Sequence, residues 1–140
     1  MKKPTIIILS IVTAVILIVV IFMLNRKSSD SVSTMVKTID KNLLAGNWIR
    51  TDSDYRIQIS KVNEDNTLEA NYFNPNPIKV GRTRWEESYG NLKIIVELRD
   101  VNYPGSTYKL SYLPDRDVLA GDYYQAVESV TFYVEFARNK

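Results

Sequence analysis

The chain contains no cysteine and no histidine. The lack of cysteine excludes disulfide bonds, a thiol nucleophile and a lipid attached through a lipobox cysteine. Without histidine, the commonest general base is missing, and with both residues absent the usual zinc ligands are missing too. No motif for a serine, lysine or paired-carboxylate mechanism is present. The sequence therefore predicts a protein that is not an enzyme and that uses neither a cofactor nor a metal.

Long basic runs are also lacking in most of the chain. Residues 1–42 carry six basic and two acidic side chains, whereas residues 43–140 carry twelve basic and fourteen acidic ones. The net charges of the two parts are therefore +4 and −2. Nucleic-acid binding needs clustered basic side chains that neutralise phosphates. The composition of residues 43–140 consequently predicts no nucleic-acid partner.

One long apolar run is present, at residues 5–24, and it contains no charged residue. A helix of this length spans roughly 30 Å, the thickness of the hydrocarbon core of a bilayer. The alternative is a cleaved signal peptide, which has a shorter apolar region of about 7–15 residues and a small-residue exit. The run ends in Met23-Leu24-Asn25 without such an exit. The sequence therefore favours an uncleaved transmembrane signal-anchor helix.

The charges beside this segment predict its orientation. Lys2 and Lys3 precede the run, and Arg26 and Lys27 follow it. The positive-inside rule narrowly favours a cytoplasmic tail at residues 1–4. The remaining chain would then lie on the periplasmic or extracellular side of the inner (cytoplasmic) membrane. The membrane is thus the first expected partner of this single-pass envelope protein.

Residues 25–42 are interpreted as a linker that contains one short amphipathic helix. Residues 25–33 are polar and serine-rich, as in a tether. In the following segment, residues 33–44, four apolar side chains fall on one helical face: Met35, Val36, Ile39 and Leu43. Ser33 or Thr34 can cap the start of this helix, and Gly46 can end it.

Residues 43–140 have the pattern of an all-β domain. Turn signals recur every 8–12 residues and delimit eight candidate strands. These are residues 47–51, 54–62, 67–73, 78–87, 92–100, 106–113, 118–126 and 130–138. Leu92, Ile94, Val96 and Leu98 show the alternation of a strand with one buried face.

The fourth candidate strand fits two alternations. One set of inward residues is Ile78, Val80, Arg82 and Arg84; the other is Lys79, Gly81, Thr83 and Trp85. The second set leaves fewer charges inside and is preferred. An inward Arg82 or Arg84 would require a carboxylate or an anionic ligand as its partner.

Eight strands in up-and-down order can close into a barrel, which removes exposed sheet edges, although an open sandwich of the same strands is the alternative. Closure makes the start of the first strand adjacent to the end of the last strand. This predicts a contact between Trp48 and Arg138, in which a guanidinium stacked on the indole contributes about 0.5–2 kcal/mol.

The sequence Gly46-Asn47-Trp48 on the first strand, together with Arg138 on the last, resembles the signature of the calycins, the lipocalin and avidin barrels. The short first strand and tight turn are more similar to avidin. The resemblance implies a calycin-like, eight-stranded antiparallel β-barrel over residues 43–140. It does not extend to biotin, because only Trp85 is a candidate counterpart for the tryptophans of that site. The whole chain also resembles small membrane-anchored proteins of the bacterial envelope.

Up-and-down topology separates the turns into two rims. Turns 63–66, 88–91 and 114–117 share the rim where the chain enters the barrel, here called the proximal rim. Turns 52–53, 74–77, 100–105 and 127–129 share the opposite one, the distal rim. Binding groups tend to lie on loops that a rigid scaffold presents. Asn74, Asn102 and Tyr103, on the distal turns, are therefore predicted ligand-binding residues.

The inward aromatic side chains allow two interiors. Tyr55, Tyr72, Tyr108, Tyr112 and Tyr123, with Phe132 and Phe136, can either line a ligand pocket or fill the barrel. Filling is preferred because the strands are short and the domain is small. A barrel with a pocket would bind a small apolar or amphipathic ligand at its distal mouth. A filled barrel would be a protein-binding module, an inhibitor or an assembly factor, that recognises an envelope protein through loops 74–77 and 100–105.

Acidic residues add one minor alternative. Asp52, Asp54, Asp100 and Glu128 share the distal rim and could form a calcium-type site, although solvated turn acids are the default interpretation. Glu86 and Glu87 cannot act as a pair, because adjacent residues of a strand point to opposite faces.

Overall fold

The computed structural model describes residues 39–140. The predicted cytoplasmic tail at 1–4, the signal anchor at 5–24 and linker residues 25–38 lie outside the described residues. Within the described range, no helix has the length and apolar character needed to cross a membrane.

Nine antiparallel strands form one sheet, preceded by a single turn of 3-10 helix at Lys41–Leu44. The strands are β1 Gly46–Arg50, β2 Arg56–Val62, β3 Leu68–Asn74, β4 Asn76–Ile78, β5 Val80–Ser88, β6 Asn91–Asp100, β7 Tyr103–Leu113, β8 Val118–Gln125 and β9 Val130–Arg138. Hydrogen-bonded neighbours follow the order β4-β3-β2-β1-β9-β8-β7-β6-β5. The β4–β3 end of this sheet meets β5 at the other end, so the sheet forms a nearly closed barrel in which β1 pairs with β9. The predicted all-β antiparallel barrel is confirmed at this level, and two separate sheets are excluded for the described residues.

The predicted count of eight strands is wrong, because the fourth candidate strand divides at Lys79. The Lys79 N–H donates to Asp100 Oδ2 at 3.1 Å, and its carbonyl accepts from the Arg99 N–H at 2.8 Å. Ile78 therefore ends β4, which pairs with β3, and Val80 begins β5, which pairs with β6. The backbone of Lys79 is thus hydrogen-bonded to the end of β6.

A β-bulge between Val80 and Arg82 changes the side-chain alternation of β5. Val80 and Trp85 pack against the core, whereas Arg82 and Arg84 are exposed. The preferred inward set is therefore right at Trp85 but wrong at Lys79 and Gly81, which are both exposed. The extra residue in the bulge shifts the alternation of inward and outward side chains by one position in the part of the strand that precedes it.

The barrel closes between β3 and β5 through a few separate hydrogen bonds, most of them from side chains, rather than through a regular backbone ladder. The Thr83 hydroxyl accepts from the Leu68 N–H at 3.2 Å and donates to the Leu68 carbonyl. The Trp85 N–H donates to the Asn66 carbonyl at 2.9 Å, and Asn66 Nδ2 donates to the Trp85 carbonyl at 3.3 Å. This line of contacts is called the seam below.

The predicted amphipathic helix is wrong in its described part. Ile39 and Asp40 are not helical, and only Lys41–Leu44 form a turn, of the 3-10 type. Asp40 has an extended backbone, and its carboxylate accepts from the Asn42 N–H at 2.9 Å. This capping bond begins the turn at Lys41.

The 3-10 turn covers the proximal rim. Leu44 is completely buried. Lys41 Nζ donates to the Val62 carbonyl at 3.2 Å and lies 2.9 Å from a carboxylate oxygen of Glu64. Trp85 Nε1 donates to the Asn63 carbonyl at 2.8 Å on the same rim. The proximal mouth is therefore closed by the chain's own residues.

Aromatic side chains fill the middle of the barrel. Tyr108 is fully buried and stacks on Tyr123, with ring centroids 4.3 Å apart. Phe136 meets Tyr108 edge to face at 5.4 Å, and the hydroxyls of Tyr72 and Tyr108 are 2.8 Å apart. The predicted alternation of β6 is confirmed by the burial of Leu92, Ile94, Val96 and Leu98. These contacts leave the distal end as the place where the interior meets solvent.

Candidate functional site

The contact predicted between Trp48 and Arg138 is present at the proximal rim. The two residues are directly paired across β1 and β9, and the guanidinium carbon lies 4.1 Å from the indole centroid. Arg138 also donates to the carbonyls of Ala45 at 2.7 Å and Leu43 at 2.6 Å. Its Nε lies 2.9 and 3.0 Å from the two carboxylate oxygens of Asp117. One guanidinium thus joins both ends of the barrel chain and the turn between β7 and β8.

Gly46 is required beside this arginine. Its backbone φ is +146°, and a Cβ atom added there would collide with Nη1 of Arg138. Both the backbone conformation and the close approach favour glycine. Gly46, Trp48 and Arg138 therefore form a structural lock, as their pattern in the sequence indicates.

Tyr112 belongs to the same lock rather than to a binding site at the distal rim. Its ring meets Trp48 edge to face at 6.0 Å, and its hydroxyl donates to Asp117 Oδ1 at 3.0 Å. Burial and the neighbouring Asp117 carboxylate raise the pKa of the Tyr112 hydroxyl. Of the predicted ligand-binding residues, Tyr112 lies at the opposite end of the barrel from the others.

An open cleft of about 290 Å³ lies at the distal rim and is called the distal cleft. Five predicted ligand-binding residues line it: Tyr55, Tyr72, Asn74, Tyr103 and Tyr123. Arg50, Gln125 and Phe132 complete the lining. Tyr108 lies beneath the cleft, fully buried, and Asn102 is exposed on the turn between β6 and β7 outside the lining. Up-and-down topology therefore brings most of the predicted residues to one mouth.

The floor of the distal cleft is aromatic and uncharged. Burial raises the pKa values of Tyr72 and Tyr108 well above the ordinary tyrosine range. Burial also raises the pKa of Tyr123. One hydrogen bond joins the hydroxyls of Tyr72 and Tyr108, and the two side chains close the floor. A ligand in the cleft would therefore meet neutral rings below it.

The walls of the cleft come from the distal turns. Asn74 Nδ2 donates to the Tyr103 hydroxyl at 2.5 Å, which ties the start of the β3–β4 turn to the start of β7. Phe132 has the inward parity of Phe136 but is 43% exposed, because it lies at the mouth of the barrel. A half-exposed aromatic ring beside a polar tie provides both apolar and hydrogen-bonding contacts.

Arg50 is the one cleft residue of clear chemical interest that the sequence analysis did not identify. It follows Trp48 by two positions on β1, so it shares the inward parity, and this was the available signal. Its side chain is 14% exposed, and its guanidinium carbon lies 5.4 Å from the Tyr55 ring centroid. Among the residues that line the cleft, it carries the only formal charge.

Asp52 is the acidic partner of Arg50. Nη2 donates to Asp52 Oδ2 at 3.1 Å, and Nε lies 2.6 Å from Oδ1 without the alignment of a hydrogen bond. Burial lowers the pKa of Arg50, but the hydrogen bond and charge of Asp52 outweigh it, so that the pKa is raised. The hydrogen bond from Arg50 in turn lowers the pKa of Asp52. The Asp52 side chain is 62% exposed, so this pair lies at the edge of solvent.

The acids of the distal rim do not form the calcium-type site considered above. Asp52 pairs with Arg50, and Asp100 accepts from the backbone N–H groups of Lys79 and Val101. No group of three acidic side chains within residues 39–140 has a geometry that could hold a metal ion. Two of these carboxylates, Asp52 and Asp100, are thus engaged by an ion pair and by backbone N–H groups.

A second depression, of about 310 Å³, lies on the outer face of β1–β3. Ile49, Arg56 and Phe73 form much of it, with the Arg56 guanidinium carbon 5.0 Å from the Phe73 ring centroid. It contains none of the predicted site residues. The distal cleft is therefore the stronger candidate site.

The described chain is thus a nearly closed antiparallel β-barrel with a covered proximal rim and an aromatic cleft at the distal rim. Comparison with protein-family models, curated proteins and solved structures finds no match to the chain.

Proposed function

We propose that this protein is a calycin-like barrel, anchored in the inner (cytoplasmic) membrane by residues 5–24, that binds a small apolar or amphipathic ligand in its distal cleft without catalysing a reaction. The gathering of five predicted tyrosine and asparagine residues at one open mouth carries the proposal. The cleft volume of about 290 Å³ is close to the lower end of the range of small-molecule pockets, about 300–1,000 Å³. A compact ligand is therefore the class that fits.

The calycin-like assignment is supported by the first and last strands. Trp48 and Arg138 stack where β1 meets β9, and Gly46 leaves room for the guanidinium. The division into nine strands and the seam at Thr83 are the features in which this barrel departs from the expected pattern. The fold therefore agrees with the resemblance in its closure and differs in its fourth strand.

Native mass spectrometry of the full-length protein, purified from its own host, tests the ligand. We expect a bound small molecule that is lost in Gln125→Trp, since this residue lines the cleft. The matched control is Gln58→Trp on the outer face of β2, which should retain the molecule. Purification of the wild-type chain without any small molecule, or equal retention in both variants, would contradict the proposal.

A second function, binding of an envelope protein, is favoured by exposed apolar side chains on two distal turns. Val101 is 90% exposed and Val127 is 62% exposed. Replacement of both by serine should abolish co-purification of a specific protein, whereas Tyr89→Ser on a proximal turn should not. If the same protein co-purifies with both variants, the distal turns are not its binding surface.

The membrane topology is tested by labelling. The chain has no cysteine, so Asp115→Cys introduces a single thiol in the β7–β8 turn. We expect a membrane-impermeant maleimide, added to intact cells or spheroplasts so that the reagent has access to the outer face of the membrane, to label this thiol. Labelling that requires lysis would place the barrel in the cytoplasm. The intact mass of the purified chain reports whether residues 5–24 are retained.

A further inference from the structure

Resting on the proposed function, we infer that the distal cleft selects compact aromatic carboxylates, whose carboxylate replaces the side chain of Asp52 on Arg50. The charge of the cleft comes from Arg50. The other residues that line the cleft are neutral, so the ligand-facing charge is positive. A largely buried guanidinium requires an anionic partner, and Asp52 is that partner in this structure.

The Arg50–Asp52 pair is suited to exchange. Asp52 lies on the β1–β2 turn, and its side chain is more than half exposed. It can therefore turn into solvent without disturbing the barrel core. Asp52 is the exposed member of the pair, so water can solvate its carboxylate when a ligand carboxylate takes its place on Arg50.

Arg50 also has unused hydrogen-bonding capacity. A guanidinium has five N–H donors in a planar fork. With Asp52, only Nη2 makes an aligned hydrogen bond, and Nε is misaligned. A ligand carboxylate that approaches from the cleft is free to adopt the bidentate geometry that arginine prefers.

The other residues of the cleft favour a particular shape and length for the uncharged part of the ligand. The rings of Tyr55, Tyr123 and Phe132 line the space beside Arg50, which suits stacking with a planar group. The hydroxyl pair of Tyr72 and Tyr108 closes the floor, so a long acyl chain has no interior channel to enter. The ligand is consequently short and flat, with its negative charge at one end.

Three probes of similar shape and different charge test this inference: indole-3-acetate, indole-3-acetamide and tryptamine. Each is titrated calorimetrically into the full-length protein in nanodiscs of zwitterionic lipid, with empty nanodiscs as the blank. Hydrogen bonds to charged groups contribute enough that we expect the carboxylate to bind roughly tenfold more tightly than the amide. Tryptamine should bind most weakly, because its ammonium group would lie beside Arg50.

Four variants test which residues cause the preference for the carboxylate over the amide. Arg50→Gln should abolish the preference for the carboxylate, and Arg50→Lys should keep part of it, since charge remains but the fork is lost. Asp52→Asn removes the competing acid and should tighten carboxylate binding by up to about fivefold, with no change for the amide. Arg56→Gln, on the outer face, is the matched control and should change nothing. Amide NMR spectra of each variant report whether the barrel is folded.

Each other outcome overturns the inference. Equal binding of carboxylate and amide shows that no anion site exists. An unchanged preference in Arg50→Gln, or weaker carboxylate binding in Asp52→Asn, shows that Arg50 does not hold the anion. If no probe binds the wild-type protein, the proposed ligand class is wrong, whereas a different small molecule retained in native mass spectrometry would leave the proposed function standing.

Discussion

Replacement of Arg138 by methionine removes the lock between the two ends of the barrel. The variant loses the contact at 4.1 Å from the Trp48 ring, a charge-assisted contact with Asp117 and two bonds to carbonyls. The stacking contributes about 0.5–2 kcal/mol. The ion pair is worth at most about 1 kcal/mol, because the two side chains are 21% and 36% exposed.

The two carbonyl bonds add a further term. Bonds to charged groups contribute about 1.5–3 kcal/mol each, but water replaces part of this for the exposed bond to Leu43. Counting the stacking, the ion pair and the part-buried bond to Ala45, we therefore expect Arg138→Met to lower the free energy of unfolding by about 2–6 kcal/mol in total. Methionine keeps much of the apolar stem that covers the indole, so the change reports mainly the loss of the guanidinium.

Urea unfolding of the full-length protein, followed by tryptophan fluorescence, measures this change. Arg116→Met is the control, because Arg116 pairs with Glu135 in the same type of contact, at 2.8 Å, but is 53% exposed. We expect a loss of at most about 1 kcal/mol for the control. Arg138→Lys should lie between the wild-type protein and the methionine variant. An Arg138→Met effect no larger than that of Arg116→Met would refute the reasoning that this guanidinium locks the barrel.

Three further outcomes follow from the barrel interior and its seam. Thr83→Val should destabilise the protein by about 1–3 kcal/mol, because two backbone groups of β3 lose their hydrogen-bond partner. Thr83→Ser keeps the hydroxyl and should not destabilise the protein. Urea unfolding measures both variants, and equal free energies of unfolding would exclude the hydroxyl bridge. Tyr72 and Tyr108 keep their protons in the folded state, so their contribution to stability should be constant below the unfolded tyrosine pKa of about 10 and should then fall by about 1.4 kcal/mol per pH unit for each. Thermal melts between pH 8 and 11 test this fall, which should be smaller in Tyr72→Phe. Gly121→Ala should be more destabilising in melts than Gly105→Ala, since both positions have positive φ but only at Gly121 does an added Cβ collide with the backbone of β7.

The local pattern of the sequence predicted much of the fold. Alternation identified β6 and its inward residues Leu92, Ile94, Val96 and Leu98, because burial on one face of a strand requires a period of two. The pairing of Trp48 with Arg138 followed from closure alone, since up-and-down order makes the end strands neighbours. Both predictions depend on regularity, and both hold where the strands are regular.

Predictions failed where a tertiary contact interrupts the local pattern. The backbone of Lys79 is held by Arg99 and Asp100, which divides one predicted strand into two. The Asp40 cap and the contacts of Lys41 with Val62 and Glu64 favour a short 3-10 turn over a continuing helix. The Asp40 cap is local, whereas the contacts of Lys41 and Lys79 join residues far apart in the chain and have no signal within a window of neighbouring residues.

In the candidate site, too, some residues were predicted from the sequence pattern and others were located only by the structure. The predicted rim residues Tyr55, Asn74 and Tyr103 meet in the distal cleft, because topology alone assigns turns to rims. Tyr112 shares the inward parity but lies at the other end, since parity specifies a face and not a depth along the barrel axis. Arg50 shares the inward parity of Trp48, but parity does not show that its guanidinium lies between Tyr55 and Asp52 at the mouth of the barrel.

By itself, the sequence determined that the described residues form antiparallel strands, which of their faces are apolar and which turns share a rim. These properties depend on periods of two and on turn residues, and both are local. Only the tertiary structure decided that the barrel is sealed by a threonine hydroxyl at its seam, that its centre is filled by tyrosines and that a paired arginine faces its open mouth. Such features depend on distances between residues far apart in the chain, and a linear pattern does not encode those distances directly.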